Sequence, residues 1–411
     1  MNRRYYSISL KLISSLSLSS GNNDNSDSDV LIDSRGNPYI PATSIAGVLA
    51  QRLDLVTKKR LYGSIDDGKS EKSHVIFYDA VLRDEAFVLS VRDSVALENK
   101  VSKESAKFDS EIVEPGVVFD TFIEFDDNVS EQDEQLVFEQ LCALHSGVIR
   151  FGKKTTRGYG QVKVENIKRI AFSDVDKWLD FDMYDSKCWD DAQDVNICEQ
   201  TADVDIIKLD LELKSALSIR SYTTELPEST FEKTAPDYKF LSLRNGIPVI
   251  PGTSWAGAFR ERFGSFTGKD AAKDLFGYVD GMNAYKLSQK SKITFSESVF
   301  DKNSYTQKLI TRNSIDRFSA ATNDGALYTE LTIYGGTTSL EITMPSDSPT
   351  QQKAAVYACI SDLDNGFMAI GGLAAVGRGL FEVKKIEING VDRTDDFKNY
   401  NYAALTGGEQ G

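Results

Sequence analysis

Two aspartates open two copies of one sequence block. Asp27 begins DSDVLIDSRGNPYIPATSIAGVLAQRL and Asp237 begins DYKFLSLRNGIPVIPGTSWAGAFRERF, and the blocks align without a gap 210 residues apart. In the first copy the block grows out of a polar loop, SSGNNDNSDSD from Ser19 to Asp29, which also carries Asp24 and Asp29. Carboxylates are the ligands that hard cations prefer, so such a loop can hold hydrated Mg2+ or Mn2+, or position a ribose hydroxyl. Aspartates also cap turns, and that structural reading of Asp27 and Asp237 stands beside the chemical one.

Further along each block come IPATSIAG and IPGTSWAG. The proline fixes the approach to a helix, Thr43 and Ser44 or Thr253 and Ser254 are capping candidates, and the small residues Ala46 and Gly47 or Ala256 and Gly257 permit close approach to another surface. Backbone N–H groups at a helix start favour a phosphate, although tight packing of helix on sheet needs the same small residues. A glycine segment closes each copy, GKKTTRGYG from Gly152 and GGLAAVGRG from Gly371. Glycine allows tight turns and close backbone approach, and Lys153, Lys154, Arg157 and Arg378 add charge suited to a phosphate chain. No Gly-Lys-Ser/Thr closes either segment, so neither is a Walker loop. His74 and His145 do not read as an acid/base pair; His145 lies among Leu141, Leu144 and Val148 and reads as a core or helix-end residue, and the four cysteines read as core.

The elements that position these residues repeat as well. LYGS at Leu61 returns as LFGY at Leu275, RDSVA at Arg92 as RNSID at Arg312, and VEPGV at Val113 as IYGGT at Ile333. A period this long marks a tandem fusion of whole domains. We expect domains at 1–172 and 205–395, an acidic linker at 173–204 and a tail at 396–411. The linker region from Phe172 to Asp205 carries eleven acids against two lysines, but its Trp178, Phe181, Tyr184 and Trp189 predict that it packs on something. Alternation in YYSISLKLISSLSLS and IIKLDLELKSALSIR marks matched first strands, the former reading as a strand and not a signal peptide. Helices are expected in EQDEQLVFEQLCALHSGV and SPTQQKAAVYACISDLDNG. The fold class is therefore α+β, two tandem domains with helices on one face of an antiparallel sheet, best matched by a ferredoxin-like βαββαβ core.

Composition narrows the function. The chain has 411 residues and a net charge of −15, which argues against coating nucleic acid with the whole surface but leaves room for a local groove. Between Val148 and Arg169 seven basic residues face one acid. No apolar run is long enough to span a membrane, and four cysteines without paired short spacing give neither a zinc site nor a disulfide framework, so a reducing cytoplasm is the expected setting.

The loop ending in Asp-x-x-Val or its counterpart, the turn G-x-P-x-I-P-[AG]-[TS]-S-x-x-G, a basic residue soon after and the final G-x-G segment together resemble the RAMP superfamily. The likeness is strongest to backbone subunits of type III CRISPR effector complexes. It implies RRM-like palms that carry the crRNA guide, and a β-hairpin thumb in each copy around Arg92–Gly116 and Arg312–Gly336. It implies that Asp27 and Asp237 promote cleavage of complementary target RNA, with Mg2+ or Mn2+ as the implied metal. Guide contacts would fall on Ser44, Ala46, Gly47 and Arg52, and on Ser254, Ala256, Gly257, Arg260 and Arg262. The implied partners are crRNA, target RNA and other type III effector subunits, with no membrane. Copy one departs from the pattern at Ala42, where the family usually has glycine, and copy two offers SIRSY where a glycine normally follows the first strand. Two alternatives share the scaffold: a non-catalytic structural crRNA-binding subunit and a standalone crRNA-processing endoribonuclease.

Overall fold

The computed structural model describes residues 2–19, 21, 26–66, 69–84, 86–98, 101–199, 203–221, 236–280 and 287–400. Asp24, residues 200–202 of the linker and the tail beyond Tyr400 lie outside them. The chain forms two compact units: residues 1–91, 109–155 and 159–202, and residues 92–108, 156–158 and 203–411.

In the first sequence copy the main elements are β1 (Arg3–Leu12), α1 (Ala42–Leu49), β2 (Leu89–Glu98), β3 (Val101–Val113), β4 (Val118–Phe125), α2 (Glu131–His145) and β5 (Val162–Phe172). Strand β1 lies mid-sheet, antiparallel to both β4 and β5. The short strands Val75–Phe77 and Val81–Leu82 pair with the far side of β4. Strands β2 and β3 pair with each other outside this sheet. The alternation read in the sequence places Tyr6, Ile8, Leu10 and Leu12 in the core, where they meet Val137, Leu141 and Leu144 of α2.

The second unit repeats the plan with β6 (Val204–Leu213), α3 (Gly252–Thr267), β7 (Thr306–Arg312), β8 (Tyr328–Tyr334), β9 (Thr337–Pro345), α4 (Thr350–Asp364) and β10 (Phe381–Ile388). Strand β6 is again central, antiparallel to β9 and β10, with Thr294–Phe295 beyond β9. Both central strands carry a register shift against their last partner, at Ser9/Leu10 and at Asp210/Leu211. A β-bulge kept at the same place in both copies is a designed feature of the sheet. Ile207, Leu209, Leu211 and Leu213 fill the core with Val356, Ile360 and Leu363 of α4. A last helix, Thr394–Lys398, buries Phe397 to 2 % exposure, so the second core extends past residue 395.

The linker aromatics pack on the other face of the first sheet. Trp189 stacks on Phe122 with ring centroids 5.8 Å apart, Phe181 lies 4.9 Å from both Tyr5 and Phe172, and Trp178 Nε1 donates to the Tyr5 hydroxyl at 2.8 Å. Burying these rings offsets the entropy of ordering a segment that is otherwise highly charged.

Candidate nucleic-acid interface

The two aspartates occupy equivalent places. Asp27 is exposed, and its Oδ2 accepts the backbone N–H of Asp109 in β3 at 3.0 Å. Asp237 is also exposed, and its Oδ2 accepts the backbone N–H of Thr329 in β8 at 2.7 Å. Asp109 and Thr329 are 220 residues apart, the same offset as VEPGV and IYGGT. Each carboxylate is therefore tied to the return strand of a strand pair. In the first copy the bond is reciprocal, because Asp109 Oδ1 accepts the Asp27 N–H at 2.8 Å; Thr329 has no carboxylate to answer with. Asp29 differs from Asp27: it is 6 % exposed and folded back on the Ser26 N–H and hydroxyl, each at 2.8 Å, as a turn cap. Among the described loop acids of the first copy, Asp27 is the one that faces solvent.

The glycine segment of the first copy reaches the same place. Lys153 Nζ donates to Ser28 Oγ at 3.2 Å and Lys154 Nζ to Ser110 Oγ at 3.1 Å, so both ammonium groups sit beside residues adjacent to Asp27 and Asp109. The backbone explains the motif. A Cβ on Gly160 would lie 1.8 Å from the Phe151 carbonyl oxygen, and one on Gly379 would lie 1.9 Å from that of Ile370. Positive φ recurs at Lys154 (57°) and Leu373 (60°), which are matched positions before a short 3-10 turn.

Arg378 does not play the part expected of it. It is 2 % exposed, and its Nη1 lies 2.8 Å from both carboxylate oxygens of Glu330 in β8. A buried charge must be paired, and this guanidinium ties the glycine segment to the hairpin strand instead of facing a ligand. Arg262 is likewise engaged, donating from Nε to Asp362 of α4 and lying 4.9 Å over the Phe266 ring. Arg260 and Arg157 are exposed, while Arg52 is half-buried just past α1.

The helix starts correct a second expectation. Neither Thr43 and Ser44 nor Thr253 and Ser254 caps its helix, because α1 and α3 begin directly after Pro41 and Pro251 and the hydroxyl residues already lie within the first turn. A side-chain cap must come from the residue before the helix, and that residue is proline. In the first copy the Ala42 N–H is instead taken by Asp79 Oδ1 at 2.7 Å. At the matched position of the second unit, a Cβ on Gly252 would lie 2.3 Å from the Arg157 carbonyl oxygen and 2.5 Å from that of Phe295, which is why glycine stands there and Ala42 suffices in the first copy. Gly47 and Gly257 behave oppositely. A Cβ on either meets nothing within 4 Å, so the chain's own packing does not require them to be small. Ala256 does pack against the core, while Ser44, Ala46 and Ser254 are half-buried.

The histidines are engaged separately. His74 Nδ1 lies 2.8 Å from Asp126, and His145, at the end of α2, places Nδ1 3.2 Å from the Val164 carbonyl and Nε2 3.6 Å from Glu199. Cys142 and Cys359 are buried as expected, but Cys198 is exposed on the linker.

Sequence reading did not find Asp109, Ser110, Thr329 or Glu330 as partners of the site. The matched offset of 220 was the pointer to that strand.

The RAMP superfamily sequence model matches residues 9–163 and 211–382, one match for each copy, and the chain belongs to that superfamily. No curated protein matches it. Among solved structures, a chain of the type III-B Cmr-beta complex bound to cognate target RNA, determined by cryo-EM, is similar at 18% identity and a TM-score of 0.33. That likeness covers 46% of this chain and 61% of the other, less than two thirds of its length.

Proposed function

We propose that this chain is a tandem backbone subunit of a type III CRISPR ribonucleoprotein, whose two RRM-like domains hold the crRNA guide and whose Asp27 and Asp237 promote cleavage of complementary target RNA at two sites. One observation carries the reading: two exposed aspartates, 210 residues apart, each fastened by one oxygen to the return strand of a strand pair at matched residues. The pairs β2–β3 and β7–β8 are then the thumbs. Beyond β7, Ile315 and Phe318 are exposed, Phe318 to 95 %, as suits a side chain that wedges against a nucleobase. Exposed Gly47 and Gly257, small without an internal reason, leave room for a guide backbone against the helix start. Sequence specificity would come from the guide, with the protein reading backbone and shape.

The chemistry asked of the aspartates is modest. Their work is orientation: one oxygen is fixed by the strand N–H and the other is directed at the ribose 2′-hydroxyl. The 2′-oxygen attacks the adjacent phosphorus as its proton passes to water, the bond from phosphorus to the next nucleotide's 5′-oxygen breaks to leave a 2′,3′-cyclic phosphate, and the 5′-oxygen departs with a proton from water; a nucleotide turned out of pairing supplies the in-line geometry. Among the described residues no group of three or more His, Cys, Asp or Glu side chains is placed to hold a metal. Asp27 with Asp109 in the first copy, and Asp237 in the second, fit an Mg2+ or Mn2+ ion completed by water and phosphate oxygens, since Mg2+ commonly takes one or two carboxylates. Such an ion would neutralise charge developing at the phosphate. Lys153 and Lys154 add positive charge beside the same loop.

A second reading, a guide-binding scaffold without catalysis, is favoured by the same N–H bond, which is also what a purely structural aspartate would make. The separate engagements of His74 and His145 weigh against the third, a standalone processing enzyme. The test is target-RNA cleavage by the guide-loaded complex with Mg2+, comparing Asp27→Ala, Asp237→Ala and the double substitution. Loss of a different product with each single change supports two cutting sites, and unchanged cleavage by the double variant sinks the catalytic reading in favour of the scaffold.

A further inference from the structure

The sulfur atoms of Cys142 and Cys198 lie 2.7 Å apart although the residues are 56 positions apart in sequence. Cys142 is buried on α2, inside the first core, and Cys198 is exposed near the end of the acidic linker. The linker does not arrive there loosely. Gln193 and Asp194 pair with Arg169 and Lys168 at the outer edge of β5, the Val195 N–H donates to the Ile167 carbonyl at 2.9 Å, and Val195 and Ile197 pack against the core. On the far side of Cys198, the Glu199 carboxylate lies 3.6 Å from His145 Nε2 and 3.9 Å from Lys163 Nζ. Cys198 is thus presented by a segment anchored before and after it, against a helix that is itself part of the core.

We propose that Cys142 and Cys198 are a modification site: on exposure to a hydroperoxide they form an intramolecular disulfide that staples the end of the linker to α2. The exposed thiol is the one an oxidant reaches. The Cys198 sulfur attacks the peroxide oxygen and becomes a sulfenic acid, releasing one water. The Cys142 sulfur then displaces hydroxide from the Cys198 sulfur, and the Cys142 thiol proton leaves with that hydroxide as a second water. Two thiols and one hydrogen peroxide give one disulfide and two waters, with two electrons passing from sulfur to oxygen. Burial, aided by the neighbouring Cys198, pushes the Cys142 thiol up to about 12, so the closing step quickens as pH rises. Closing a long loop constrains the unfolded chain, so the staple should raise the unfolding temperature.

The full-length protein is treated with hydrogen peroxide, alkylated under denaturing conditions and mapped by mass spectrometry. The expected product is a single Cys142–Cys198 cross-linked peptide, reversed by dithiothreitol, with Cys188 and Cys359 still alkylated. The oxidised protein should unfold about 5 °C or more above the reduced one. Cys198→Ser, at an exposed position, should fold normally and lose both the cross-link and the thermal shift. The proposal is overturned if Cys198 proceeds to sulfinic acid while Cys142 stays alkylatable, if all four thiols survive, or if the cross-links join separate chains.

Discussion

Asp27 and Asp237 each do two things that a substitution can separate. The carboxylate accepts a strand N–H, and it presents a charge to solvent. Asparagine keeps the acceptor and removes the charge. Asp27→Asn and Asp237→Asn should therefore leave stability within about 0.5 kcal/mol, while alanine at either site costs about 1 kcal/mol through the lost bond. Chemical denaturation checks this, and under the proposed function both substitutions should abolish cutting at their own site. If asparagine cuts as well as aspartate, the role is structural. The glycines supply a second contrast. Gly160→Ala would force a Cβ to 1.8 Å from a carbonyl oxygen at φ +74° and should unfold or strongly destabilise the first unit, by more than about 3 kcal/mol. Gly47→Ala meets open space inside a helix and should stabilise by about 0.5–1 kcal/mol, yet weaken guide binding if the RNA backbone runs there. Thermal melts paired with RNA-binding titrations distinguish the two.

At the scale of elements, ionic clusters hold the strands and helices in register. Glu134, in the first turn of α2, accepts from Arg169 Nε at 2.8 Å and the Tyr6 hydroxyl at 2.6 Å, and lies 3.0 Å from Arg4 Nη1. Burial works against its charge, but the hydrogen bonds from Arg169 and Tyr6, and both arginine charges, outweigh it and hold the carboxyl below the usual glutamate range. A depressed folded-state pKa means that this stabilisation is complete above the unfolded value near about 4.3 and is lost as pH falls through the folded one. Glu134→Gln should flatten that part of the acid unfolding curve. It should also cost about 3 kcal/mol or more at neutral pH, because it strands Arg4, which is 1 % exposed. Arg378→Ala should cost less, about 2 kcal/mol, because buried Glu330 loses its two-oxygen partner but keeps Arg220 Nε at 3.6 Å. The duplication, the central strands, the core helices and the linker's packing were legible, because each rests on local periodicity or direct self-comparison. The strand partners of the aspartates were not, since Asp27 meets a residue 82 positions away and Asp237 one 92 away. Arg378 looked like a phosphate ligand for the same reason: its partner Glu330 is 48 positions distant, and only the fold reveals that the charge is already matched.

For the whole molecule, the question is how a chain of net charge −15 would hold a polyanion. Long-range attraction cannot do it, since at physiological salt charges more than about 8 Å apart are largely screened. Under the proposed function binding would have to come from a few cations lying close to the guide, and the structure sorts the candidates by what already occupies them. Lys153 is exposed and donates to the Ser28 hydroxyl in the first copy, and Arg260 is exposed on α3 in the second. Arg262 and Arg378 are neutralised by Asp362 and Glu330. On single-stranded RNA, each phosphate contact contributes about 0.7 to the slope of log affinity against log salt. Lys153→Ala and Arg260→Ala should therefore each weaken guide binding and reduce that slope by about 0.7, whereas Arg262→Ala should leave the slope unchanged. Titrating guide RNA at several salt concentrations reads this directly. A slope reduced by Arg262→Ala but not by Arg260→Ala would place the guide on the other side of α3, and with it would fall the assignment of the open helix start around Gly257 as its track.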